Sequence, residues 1–165
     1  MAKETTSSWE PCISAFLFKV QNSPEFFSYY NMSDDEAMEL AIKRAKGYLI
    51  EALSRFTLEC SPDVDFLDYD PLLETFGFEM TNEEVSLLAC LMFEEFIAKD
   101  VAKLRVVNKL LTSQDLKAIY GVPYAERKSF MEMYNTLYRN NNTLIDRYIS
   151  KDRLTGRRKT IDYNM

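Results

Sequence analysis

The sequence predicts an all-α fold, a bundle of three long helices plus short helices, with extended N-terminal and C-terminal arms that could include short terminal strands. Three observations carry this. Glycine and proline are scarce, at four and five of 165 residues, which argues against a turn-rich sandwich. Capping signatures at Ser33-Asp34-Asp35-Glu36 and Thr81-Asn82-Glu83-Glu84 each open a long stretch with helical spacing of apolar residues. A third long periodic stretch follows Pro123.

Met1–Ser8 is polar and reads as a flexible leader. No apolar stretch follows it directly, so no secretory signal is expected. Trp9 precedes Glu10-Pro11. Ile13–Val20 is rich in β-branched and aromatic residues and is compatible with a short strand or with two helical turns; its periodicity does not decide. The reading adopted is an extended arm packed on the body. Asn22-Ser23-Pro24 breaks whatever precedes it. Phe26, Phe27, Tyr29 and Tyr30 form an aromatic cluster on a short helix. Together with Trp9 they are the candidates for an aromatic interface, because aromatic side chains are enriched where proteins meet.

The first long helix is expected from Asp34 to about Phe56. Ala37, Leu40, Ala41, Ala45, Tyr48, Leu49, Ala52, Leu53 and Phe56 share one face at three/four spacing. Alanines on that face allow another helix close. Glu39–Lys43 and Glu51–Arg55 are expected as i,i+4 pairs on the wet face. Residues 60–80 read as a long linker in which Asp63, Asp65, Asp68 and Asp70 crowd together. The stretch lacks the glycine and the register of a calcium loop. It reads as a solvated acidic loop pinned by Phe66, Leu67 and Tyr69.

The stretch Thr81–Val107 is the organising element. Val85, Leu87, Leu88, Leu91, Met92, Phe93, Phe96, Ile97, Val101 and Leu104 cover nearly every direction of the helical wheel. A helix apolar all round is surrounded by other elements. Its uncharged run Val85–Phe93 is too short for a membrane span. Thr112-Ser113-Gln114-Asp115 opens a short helix ended by Gly121-Val122-Pro123. The last long helix runs from about Tyr124 to Ile149. Phe130, Tyr134, Leu137, Asn141, Leu144 and Tyr148 make a heptad-like seam. Asn141 is either a buried register-setting residue or a solvent-facing member of the Asn140–Asn142 run. Gly156 and the charge run after Ser150 argue against a continued helix. Thr160–Tyr163 alternates and could add as a strand to a neighbour.

These features divide the chain into an N-terminal arm and aromatic entry segment (1–32), a helical domain (33–150) and a basic C-terminal tail (151–165). Net charge is −6. Residues 150–165 carry five basic against two acidic side chains; the other 149 carry a net −9. An acidic body repels phosphate, and a basic tail seeks an acidic partner. Sequence-specific nucleic-acid binding is therefore not expected.

Candidate chemistry is sparse. The chain has no histidine, which removes the usual general base and metal ligand. Four isolated glycines make no phosphate loop. Cys12, Cys60 and Cys90 match no zinc or redox spacing. Cys90 reads as a small core hydrophobe. Glu94 and Glu95 point about 100° apart on a helix and do not face each other. No enzyme activity, metal site or cofactor is expected.

In the order of its elements the chain resembles the head–tail connector proteins of tailed bacteriophages, the adaptor or head-completion family. The resemblance is carried by Phe26-Phe27-Ser28-Tyr29-Tyr30, by Asp35-Glu36-Ala37 and Arg44–Leu49 on the first long helix, by Glu83-Glu84-Val85 to Leu104, by Thr112–Leu116, by the third helix and by Arg153–Tyr163. It covers roughly residues 25–163. It implies a structural virion protein of the neck, made in the host cytoplasm. Such proteins form a homo-oligomeric ring, commonly a dodecamer, which docks on the portal protein and meets tail or neck proteins. DNA passes through the lumen, and no membrane is involved. In this chain Arg153, Arg157, Arg158 and Lys159 are then the expected docking cations, with Ile161 and Tyr163 as apolar anchors. The second reading is a small cytosolic helical regulator that binds one partner protein through its aromatic surface.

Overall fold

The computed structural model describes residues 6–21, 24–27, 32–60, 63–110 and 124–159; within these, the side chains of 24, 25, 100–110 and 124–130 lie outside the description. The short helix expected after Thr112 also falls outside it. The described chain is mostly helical, with a small three-stranded antiparallel sheet.

Strand β1 (Ser7–Ser8) leads into helix α1 (Glu10–Val20), and helix α2 is the single turn Pro24–Phe27. Helix α3 spans Asp34–Cys60. Strands β2 (Tyr69–Asp70) and β3 (Thr75–Phe76) follow, then helix α4 (Asn82–Leu110) and helix α5 (Tyr124–Ile149). The sheet order is β1-β3-β2, so β3 pairs on both sides.

Residues 13–20 are not an extended arm. Ser8 Oγ accepts from the Glu10 amide at 3.1 Å, and Pro11 sits in the first turn of α1, where a missing N–H is tolerated. Cys12, Ile13, Phe16 and Val20 then fall on one helical face, buried against α3 and α4. For so short a run the packing surface decides between strand and helix.

The two capping boxes form as read. The Ser33 amide donates to Glu36 Oε2 at 3.0 Å, and the Glu36 amide returns to Ser33 Oγ at 3.4 Å. The Thr81 amide donates to Glu84 Oε2 at 2.8 Å, and the Glu84 amide reaches Thr81 Oγ1 at 3.3 Å. Helix α3 buries Ala41, Ala45, Tyr48, Leu49, Ala52, Leu53 and Phe56, as its spacing predicts, and runs one turn further to bury Cys60. Helix α4 contacts α1, α3 and α5 and is the central element. Leu87, Leu88, Ala89, Leu91, Met92, Phe96 and Ile97 are buried on it.

The expected Glu51–Arg55 pair is not made. Glu51 instead meets Lys99 at 3.0 Å across the α3–α4 contact. Arg55 turns inward to Glu94 at 2.7 Å, with Glu59 at 2.9 Å. Asn141 is buried, 1% exposed, and completes this cluster. Its Nδ2 donates to Glu94 Oε2 at 2.7 Å and to the Cys90 carbonyl at 3.2 Å. The solvent-facing reading of Asn141 is thereby excluded: the partners of the buried amide lie within its own chain.

Residues 63–80 are not simply a solvated loop. Phe66 is fully buried, 4.5 Å from the Phe56 ring and 4.8 Å from Phe78. Leu67, expected as a pin, is half exposed. Two of the aspartates shape turns: Asp65 Oδ1 accepts from the Leu67 amide at 2.8 Å, and Asp70 Oδ1 from Leu72 and Leu73 at 2.8 and 3.1 Å.

A prediction follows from the inner cluster. Asn141→Ala removes a buried donor from Glu94 and lowers unfolding free energy by roughly 1–3 kcal/mol. Exposed Asn140→Ala changes it by less than about 0.5 kcal/mol. Urea unfolding of the two variants checks the difference.

Candidate functional site

The candidate site is the basic C-terminal segment and the surface that seats it. Helix α5 ends at Ile149, and residues 150–159 turn back as a tight hairpin rather than an extended tail. Lys151 bridges Arg158 antiparallel. The Asp152 amide donates to the Arg157 carbonyl at 2.7 Å, and the Lys159 amide to the Ser150 carbonyl at 2.9 Å. Gly156 takes φ +64°, a left-handed backbone that a side chain would strain. Asp152 Oδ1 closes the turn by accepting from the Thr155 amide at 2.8 Å and hydroxyl at 2.6 Å. These bonds hold its carboxyl below the usual aspartate range.

The hairpin is fixed to the body through Glu84. That carboxylate is fully buried. Its Oε1 accepts from the Tyr148 hydroxyl at 2.7 Å and from Arg153 Nε at 2.6 Å. Its Oε2 accepts from Arg153 Nη2 at 3.0 Å and from the Thr81 amide. Arg153 also donates to the Glu79 carbonyl and lies over the Phe78 ring, 5.5 Å from its centroid. One residue thus caps α4, receives the end of α5 and holds the C-terminal hairpin. Beside it, Lys151 meets Glu83 at 2.8 Å.

The predicted docking residues therefore divide. Arg153 is spent inside the molecule, because the buried carboxylate needs its charge and its donors. Arg157 and Arg158 are exposed on the hairpin. Lys159 is exposed and lies 3.6 Å from Asp63. Ile161 and Tyr163 fall outside the described residues, as do Tyr29 and Tyr30.

The aromatic candidates are largely internal. Trp9 is 2% exposed, edge-on to Tyr69 at 5.4 Å and tilted against Phe76 at 6.0 Å. Phe26 is buried between Phe16 and Phe96, each at 5.4 Å, with the Arg44 guanidinium 4.7 Å above it. Phe27 is half-buried against Phe26 at 5.1 Å. Their large apolar areas fasten the N-terminal segment to the core, and they are not presented to solvent.

The reading of the sequence missed two surface features. The turn between β2 and β3 carries Leu72, 92% exposed, and Leu73, 72% exposed. Two adjacent leucines beside Pro71 in an acidic stretch were the available signal. Between the start of α4 and the end of α5 lies a cavity of about 260 Å³ lined by Glu83, Ser86, Leu87, Leu144, Arg147 and Lys151. No spacing within the sequence brings those two segments together.

Among the described residues no group of three Cys, Asp or Glu side chains could hold a metal ion. No described helix is long and apolar enough to cross a membrane. Burial, helped by the Glu84 charge, pushes the Cys12 thiol up to about 12. Burial, helped by Glu59, pushes Cys60 up to about 12 as well. Burial and its bond to Glu84 raise the Tyr148 phenol above its ordinary value. The two thiols are protonated at neutral pH and are poor nucleophiles.

Two predictions follow. Arg153→Ala leaves a buried carboxylate without its cation and lowers stability by about 3 kcal/mol, whereas exposed Arg157→Ala changes it by less than about 0.5 kcal/mol; chemical denaturation separates them. The raised Cys12, Cys60 and Tyr148 values mean that their neutral forms stabilise the fold. That contribution is complete below the ordinary thiol value of 9.0 and is lost as pH climbs toward about 12. The thermal midpoint should accordingly fall as pH rises from about 8 to about 11. No protein-family model, no curated protein and no solved structure matches this chain.

Proposed function

We propose that the chain is a structural virion protein, a head–tail connector or adaptor whose copies form a ring on the portal protein and leave a channel for DNA. The observation that supports this best is the C-terminal hairpin. It is basic, it is anchored by a buried ion pair, and it projects Arg157 and Arg158 from an otherwise acidic chain. A cation pair held on a fixed support loses little freedom when it docks on an acidic partner. The acidic remainder fits a lumen wall along which DNA slides without sticking.

In this reading α3, α4 and α5 act as a three-helix bundle, the rigid body of each subunit in a dodecameric neck ring between head and tail. The docking set is Arg157, Arg158 and Lys159, with Ile161 and Tyr163 as apolar anchors. Arg153 supports the hairpin from below. No catalysis is assigned. The alternative, a regulator binding through an aromatic surface, loses support because Trp9 and Phe26 are buried.

The test keeps Arg153 in place. Arg157→Glu/Arg158→Glu, and separately removal of residues 160–165, leave the anchored hairpin intact. Each variant is mixed with the portal protein encoded near its gene and imaged by electron microscopy. Both should keep the wild-type thermal midpoint and form far fewer portal-bound rings. Rings formed normally by the charge-reversed protein would overturn the docking role. A fixed one-to-one complex in place of rings would favour the regulator.

A further inference from the structure

We propose that the β2–β3 turn of one copy docks into the cavity between α4 and α5 of a second copy, giving a head-to-tail contact between identical chains. The inference rests on the ring reading only in supplying the contact between its copies. Both halves of the contact are present in one chain, which is why the occupant is a second copy.

The inserted half is a preformed knob. Asp70 Oδ1 accepts from the Leu72 and Leu73 amides. Glu74 closes the turn at φ 55°, a left-handed conformation. Its side chain pairs with Lys46 on α3, and its carbonyl accepts from the Trp9 amide at 2.9 Å. The turn is therefore tied at both feet and presents two leucines to water. Leu72 at 92% exposure is covered by nothing among the described residues. Two adjacent bulky apolar side chains held in water on a fixed turn gain from burial against another surface.

The receiving half offers both apolar and charged side chains. Its floor is Leu87, nearly buried, and Leu144, which packs against the core. Its charged lining is Arg147, Lys151 and Glu83. Lys151 already meets Glu83, whereas Arg147 makes no ion pair among the described residues. The fields around the two halves are opposite. Residues 63–74 contain five acidic side chains and no basic one, and residues 147–159 contain six basic and one acidic. Within one copy the two stretches meet at Lys159 and Asp63. That pair is half exposed and satisfies one charge of each set. The cavity lies between α4 and α5, while the knob is tied to α3 and β1, so the two patches are built from different residues. A contact between two different patches repeats from copy to copy and closes into a ring when the rotation allows. Apolar insertion supplies the affinity, and the opposed charges set the orientation.

The experiment uses the full chain and two surface variants. Leu72→Asp/Leu73→Asp removes the knob and keeps the cavity. Ser86→Trp fills the cavity and keeps the knob; Ser86 is exposed, so the core is untouched. Circular dichroism and thermal midpoints establish that both fold as the wild type does. Sedimentation velocity up to millimolar protein should show concentration-dependent self-association of the wild type, weakened roughly tenfold or more in each variant. Mixing the two variants should restore a single intact contact and give a one-to-one dimer that does not grow further. Wild-type protein that stays monomeric, variants that associate as the wild type does, or a mixture that remains monomeric would each overturn the proposal. The two readings fail separately. Portal-bound rings formed by both variants would discard this contact and leave the ring; a restored dimer without portal-bound rings would keep the contact and discard the connector reading.

Discussion

Glu84 is a carboxylate buried where the ends of three segments converge, and the chain's arrangement depends on satisfying it. The Thr81 amide, the Tyr148 hydroxyl and two nitrogens of Arg153 together complete its acceptors. Taking a carboxylate out of water is unfavourable by several kcal/mol, and the gain from pairing it is of similar size. Such a site therefore adds little net stability. Its effect is to tie α4, α5 and the C-terminal hairpin together through one set of donors. The Arg55–Glu94–Asn141 cluster acts in the same way further along the helices, joining α3, α4 and α5. Polar pairing at two levels selects the register, while apolar burial supplies the driving force.

Aromatic side chains from the N-terminal segment share in that driving force. Trp9 packs on the strands at Tyr69 and Phe76, Phe16 and Phe26 pack on Tyr48 and Phe96 of the long helices, and Phe66 with Phe78 continues the layer toward Tyr148 and Arg153. The edge-on geometry of several of these pairs lets each ring's positive edge meet its neighbour's negative face. The arrangement also fixes what remains on the outside. With Trp9, Phe26 and Arg153 committed inward, the features left outside include the basic end of the hairpin, the leucine turn and the cavity beside α5.

Much of this was legible from local pattern. Both capping boxes, the buried face of α3, the central place of α4 and the bounds of α5 follow from contacts within three or four residues or from a period repeated over many turns. Those signals are strong because helix geometry is set by near neighbours. The hairpin at residues 150–159 was half legible: Gly156 ended the helix, but nothing local said that the chain would return on itself. The three strands are only two residues each, too short for any alternation to be read.

The sequence by itself therefore determined the helical class, the caps, the central helix and the separation of acidic body from basic terminus. The tertiary structure alone decided that residues 13–20 form a helix, that Asn141 faces inward and that Arg153 is an anchor instead of a docking group. The reason is distance along the chain. Arg153 meets Glu84 across 69 residues, and Asn141 meets Glu94 across 47. Whether a polar side chain faces water or a buried partner depends on that partner's position in space, which no local period encodes.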